Sequence, residues 1–205
     1  MDSAITTNAT SSSGLDRKPA TALVVMGVAG CGKSSVGEAC AERLGWRLVE
    51  GDDFHSADAI LKMRSGMPLT DADREGWLDR LGSLLQLELM HRDGKKPGVV
   101  LTCSALRKAY RDRLRAAVPG LRFAFLQIQQ SAAEARVAAR TDHLFPASLV
   151  ASQFATLESP SGEAGVLTLD ATASIAMLAQ QVEAWLAPAA EGPSTQTKKN
   201  GDKNE

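Results

Sequence analysis

Between Thr21 and Ala187 short β-branched or apolar runs alternate with longer amphipathic stretches. The runs predict strands near 22–26, 46–50, 98–103, 122–128 and 165–169. Apolar residues recurring every three or four positions predict helices near 32–44, 56–64, 71–92, 105–117, 131–141, 146–157 and 172–186. In the third helix Trp77, Leu78, Leu81, Leu84 and Leu85 form one stripe and are read as core. Strands separated by helices build βαβ units, hence a five-stranded parallel sheet with helices on both faces, a three-layer α/β/α fold. Residues 1–20, rich in Ser, Thr and Ala, and residues 188–205, polar with Pro and Gly, lack such a period. They are read as disordered tails on a single domain spanning 21–187.

Composition narrows the function classes. A chain of 205 residues suits one domain, and a formal net charge of -1 with 23% charged residues argues against a nucleic-acid or membrane-surface protein. No apolar run approaches the roughly 20 residues that span a bilayer, and the first residues lack the apolar core of a secretory signal. Three cysteines, Cys31, Cys40 and Cys103, without C-x-x-C spacing indicate neither a disulfide framework nor a zinc site. A cytoplasmic protein with reduced thiols is the expectation.

The strongest local signal follows the first strand. Gly27-Val28-Ala29-Gly30-Cys31-Gly32-Lys33-Ser34 reads G-x-x-x-x-G-K-S between a strand and a helix. The glycines let successive amides, continuing through Ser35, point into one concavity that fits a phosphate. Lys33 would reach the β- and γ-phosphates, Ser34 would ligate Mg²⁺, and the helix would add its positive N-terminal end. The arrangement reads as a P-loop for a nucleoside triphosphate such as ATP. Cys31, beside Lys33 and a helix start, is either an alkylatable thiol or simply a small residue that the loop tolerates. The guanine signature N-K-x-D of a GTPase switch is missing, and the strand at 98–103 does not end in a Walker B acid. A small-molecule kinase therefore leads.

Acids and arginines then gather at predicted strand ends, where ligands bind in open parallel sheets. Glu50 and Asp52 lie two apart and would project to one side of an extended strand, with Asp53 turned elsewhere or capping the next helix. One acid could hold Mg²⁺ and another accept the proton of an attacking hydroxyl. His55, Lys62, Asp73 and Arg74 follow on short helical segments, and Thr70 and Asp71 suit a helix N-terminus. Ser104 is read as an N-cap for the helix carrying Arg107 and Arg111, four apart on one face and suited to a carboxylate or phosphate. Arg136 and Arg140, also four apart, would sit on a lid spanning about 131–146.

The stretches GVAGCGKSSVG, EGDDFH, KMRSGMPLTDADREGWL, TCSALRKAYRDRLR and LVASQFATLESP resemble the gluconokinase family across roughly residues 22–170. The resemblance implies transfer of the ATP γ-phosphoryl to the 6-hydroxyl of D-gluconate, the P-loop NTPase fold of shikimate and nucleoside-monophosphate kinases, and a homodimer. It implies Asp52 as base or hydroxyl-orienting group. Lys62, Arg74, Arg111, His143 and Gln153 would face the sugar acid, with Arg74 or Arg111 pairing with the carboxylate. Lys33, Arg136 and Arg140 would serve the transferring group, and Ser34, Glu50 and Asp52 the metal. The chain departs from the family at Ser56 and Ala59, where Pro and Asn are usual, and at Thr141 and Asp142 in the lid. Kinases of other small hydroxy acids, and a nucleotide-binding regulator that has lost turnover, are the alternatives.

Overall fold

The structure, a computed structural model, describes residues 21–90, 97–139 and 147–187. Five strands, β1 Thr21–Met26, β2 Arg47–Glu50, β3 Gly98–Cys103, β4 Arg122–Gln127 and β5 Val166–Asp170, form one sheet in the order β2-β3-β1-β4-β5. Every pairing is parallel. β3 and β4 flank β1 on opposite sides, so the chain changes direction across the sheet there. A cleft opens at the carboxyl ends of strands around such a switch point.

Alternate side chains of β1 serve two cores. Leu23 and Val25 pack with α1 (Lys33–Leu44), α5 (Gln130–Ala138) and α7 (Ile175–Leu186); Ala22, Val24 and Met26 pack with α3 (Asp71–Met90) and α4 (Lys108–Ala117). β3 is buried at all six positions, as a strand covered on both faces must be. The expected stripe on α3 is borne out at Trp77, Leu78, Leu81 and Leu85, all buried. A small third cluster of Ala59, Met63, Leu69 and Leu149 joins α2 (Ala57–Arg64) to the approach to α6 (Val150–Thr156). That cluster roofs the cleft.

Strand limits agree with the sequence pattern to within one residue, but some helix starts move. α4 begins at Lys108 rather than near 105, because Ala105 takes φ 43 and breaks the helical path. Ser104 is therefore not its N-cap. Arg107 holds that position without a side-chain capping bond, and the Glu158 carboxylate accepts from the Lys108 N–H at 2.6 Å instead. Ser56 caps α2 through the Ala59 N–H, so the residue that replaces the family's proline has local work. Thr70 and Asp73 bond reciprocally across the start of α3 as a capping box. Of the expected lid, α5 covers the first part; Arg140, Thr141, Asp142 and His143 lie outside the described residues.

Candidate active site

The loop between β1 and α1 is shaped by close packing. Gly30 has φ 80, and a Cβ there would lie 2.5 Å from the Ala133 carbonyl of α5. Gly27 has φ 143, and its Cβ would press on the Cys31 sulfur at 2.8 Å and the Leu126 carbonyl at 2.9 Å. No side chain fits at either position. Lys33 Nζ donates to the Val28 carbonyl at 3.2 Å, lying back along the loop. Gln153 Oε1 accepts from the Ala29 N–H at 2.7 Å, so α6 braces the loop. Gln153 thus meets the P-loop directly, while its residue also lines the cleft.

Glu50 ends β2 next to Ser34. Its Oε2 accepts from Ser34 Oγ at 3.2 Å and from Thr102 Oγ1 at 2.5 Å. The residues after it form a 3-10 turn, Gly51–Phe54, so Asp52 is not on an extended strand. The alternation argument for Glu50 and Asp52 fails for that reason, yet both line the same cleft. The Asp52 carboxylate is 63% exposed and 3.8 Å from His55 Nε2. His55 stacks on Trp77 at 4.2 Å with planes 14° apart, and Trp77 Nε1 donates to the Gly51 carbonyl at 2.8 Å. A tryptophan read as core thereby fixes the acid-bearing turn. Burial pulls the His55 pKa down, with Asp52 pulling it up less strongly. His55 Nδ1 is buried with no partner among the described residues.

The four basic residues expected around a substrate separate. Arg74 lines the cleft, is 9% exposed, and makes no ion pair among the described residues. Its Nε is buried without a hydrogen bond, and its guanidinium lies 5.8 Å from the Tyr110 ring centroid. Lys62 instead pairs with Asp73 at 2.6 Å and Arg107 with Asp71 at 2.7 Å, both at the start of α3 and neither on the cleft lining. Arg111 corrects the sequence expectation outright. It is fully buried, donates to the Ala105 and Leu106 carbonyls at 3.0 Å each, and pairs with Glu163, which also takes Arg115. A guanidinium so enclosed has no face left for a substrate carboxylate.

Arg136 donates to the Ala171 carbonyl at 3.0 Å and lies 3.5 Å from that of Gly30. It borders a second cavity with Ser35, Val36, Ala173 and Ile175, and Gly30 and Gly32 line both this cavity and the cleft. Cys31 is 1% exposed, and burial pushes its thiol pKa up against the pull of Lys33. The reactive-thiol reading falls, and the tolerated small residue stands. The sequence reading missed Ser104, Leu149 and Ser152 as cleft residues. Ser104 was findable: it follows directly on a central strand, where ligands are met.

A glycine-shaped anion cradle, a lysine within it, acids at the neighbouring strand end and an arginine across the cleft with no ion pair among the described residues define a P-loop phosphotransferase. A family profile described as "AAA domain" matches residues 23–160. A gluconokinase of Gluconobacter oxydans is 44% identical over 149 residues, covering 71% of this chain and 79% of that one. A probable gluconokinase of Schizosaccharomyces pombe is 42% identical over 151 residues, covering 71% and 77%. A solved gluconokinase structure from Sinorhizobium meliloti superposes with a TM-score of 0.69 at 43% identity, covering 82% of this chain and 91% of that one. The chain belongs to the gluconokinase family of P-loop kinases. It is a kinase, a phosphotransferase with an alcohol group as acceptor.

Proposed function

We propose that the protein transfers the γ-phosphoryl of ATP to the 6-hydroxyl of D-gluconate, giving 6-phospho-D-gluconate and ADP. The observation that carries the acceptor assignment is Arg74, a buried cation without an acidic partner among the described residues in the cleft that holds the P-loop and Asp52. A buried charge of this kind is costly unless a ligand neutralises it, and a guanidinium fork matches a carboxylate. The acyclic acid then lies with its carboxylate at Arg74, its hydroxyls beside His55 and Gln153, and its terminal hydroxyl toward the P-loop.

Asp52 orients that terminal hydroxyl and accepts its proton as the bond to phosphorus forms. Lys33 leaves the Val28 carbonyl for the phosphates, while the amides from Gly30 to Ser35 hold the phosphate oxygens and that of Ala29 stays on Gln153. Ser34 and Glu50 fit Mg²⁺: a hydroxyl and a carboxylate oxygen face each other at 3.2 Å beside the cradle. Bound there, Mg²⁺ would offset charge on the phosphates, with Asp52 as a further ligand through water. Arg136 borders the nucleotide side of the loop, and Arg140 and His143 complete the lid in this reading. A homodimer and a cytoplasmic location rest on the family resemblance and composition; among the described residues no helix is long and apolar enough to cross a membrane.

The test is ADP release with ATP and Mg²⁺ against D-gluconate, shikimate, related sugar acids and nucleoside monophosphates. Rapid ADP formation with gluconate is expected. Turnover of another acid alone overturns the acceptor, and binding of ATP and gluconate without ADP would make the chain a nucleotide-binding regulator.

A further inference from the structure

The turn after β3 is the least relaxed backbone among the described residues. Ala105 is the one non-glycine there with positive φ, at 43°, and it is fully buried. An L residue adopts this conformation only when its surroundings impose it. Arg111 holds the turn from one side: its Nη1 donates to the carbonyls of Ala105 and Leu106 while Nε and Nη2 bind Glu163, and the Glu158 N–H also donates to the Leu106 carbonyl. Arg115 closes the cluster from the other side of Glu163 at 2.9 Å.

The product of this turn is Ser104. It is 8% exposed, lines the cleft, and its hydroxyl makes no hydrogen bond to any described residue. β3 pairs with both β1 and β2, with Met26 opposite Cys103 and Glu50 opposite Thr102, so Ser104 emerges between the P-loop and the Asp52 turn. The residue is nearly enclosed while lining the cleft, and a hydroxyl there without a protein partner is available to bond a ligand group. Donor and acceptor in one, it complements a hydroxyl, whereas Arg74 complements a carboxylate.

We propose, resting on the gluconate reading, that Ser104 contacts a hydroxyl of the polyhydroxy chain, and that Arg111 is the positioning residue that holds the Ala105 turn presenting it. Ser104 then measures hydroxyl pattern along the acceptor, a contact separate from the carboxylate anchor.

The experiment compares steady-state constants of wild type and Ser104→Ala with gluconate and with gluconates lacking one hydroxyl. Ser104→Ala is expected to raise KM for gluconate about fivefold, leaving KM for ATP and the unfolding temperature unchanged. One deoxy acid, missing the contacted hydroxyl, should lose affinity for wild type but no further for Ser104→Ala. An unmoved gluconate KM, or equal added losses on every deoxy acid, overturns the contact. Arg111→Lys and the gentler Glu163→Gln should raise gluconate KM in wild type and not in the Ser104→Ala background; additive effects overturn the positioning role. Absence of wild-type gluconate turnover would sink this inference together with the acceptor assignment, whereas turnover with an unmoved Ser104→Ala KM sinks this inference alone.

Discussion

Two arginines were equal candidates for the substrate carboxylate, and replacing each by methionine should separate them in opposite directions. Arg74 is 9% exposed with a buried, unbonded Nε, so its charge is desolvated with little return inside the protein. Arg74→Met keeps an unbranched apolar stem and removes the charge that lies over Tyr110. Folding stability should hold or rise slightly, because an ion with no salt bridge among the described residues gives up only a long 3.5 Å bond to the Leu69 carbonyl when an apolar side chain replaces it. Affinity should fall, since removing one member of a desolvated, hydrogen-bonded ion pair costs about 3 kcal/mol, or about 150-fold in kcat/KM for gluconate. The loss should be absent for a neutral polyol acceptor of similar length, which has no carboxylate to lose. Arg111→Met leaves two buried carbonyls and Glu163 short of partners. It should cost about 4 kcal/mol of stability, about 12 °C in Tm for a domain of this size. Coupled-enzyme kinetics and thermal unfolding of both variants test this together. An Arg74→Met protein that keeps its gluconate KM, or that melts as early as Arg111→Met, would refute the assignment of the carboxylate site.

Lys33→Ala should abolish turnover with the far-ultraviolet circular dichroism unchanged, and Asp52→Asn should lower kcat by about two orders of magnitude with little change in KM for ATP. Near-normal kcat in the Asp52 variant removes that residue from the proton transfer. Cys31, Cys40 and Cys103 are all buried, with the Cys40 and Cys103 thiols pushed up to about 12 by burial. A thiol reagent at pH 8 should therefore find almost no reactive sulfur in the native protein and all three after denaturation. Rapid native modification that nucleotide prevents would restore the reactive reading of Cys31. Glu163 is held below its ordinary 4.5 first by Arg111 and then by Arg115, so its stabilisation is complete above pH 4.5 and is lost as pH falls toward the lower folded value. Glu163→Gln should flatten the Tm profile below pH 4.5 relative to wild type; parallel profiles would deny the pair a role in acid stability.

The parts of this protein that its sequence determined are those whose physics is local. Period-two and period-3.6 patterns follow from how side chains leave a strand or helix, so β1 to β5 and most helix cores were legible residue by residue. The P-loop was legible because positive φ at Gly27 and Gly30, with Lys33 and Ser34 after them, is a demand the backbone makes within eight positions. Asp52 was expected at this strand end and does line the cleft, although the strand argument for it is overturned by the 3-10 turn at Gly51–Phe54. Tertiary structure alone decided the destinations of the long cationic side chains. Arg107 and Arg111 were expected on one helix face, yet Arg107 precedes the helix and meets Asp71, 36 residues back, while Arg111 meets Glu163, 52 residues ahead. A guanidinium reaches far from its Cα and goes to whichever carboxylate the fold brings near, which spacing along one helix cannot encode. Ser104 passed for a cap for a related reason. Whether a serine after a strand caps a helix or faces a ligand depends on the next backbone angle, and the turn at Ala105 is held from one side by an arginine six residues later, paired with a glutamate from beyond the next strand.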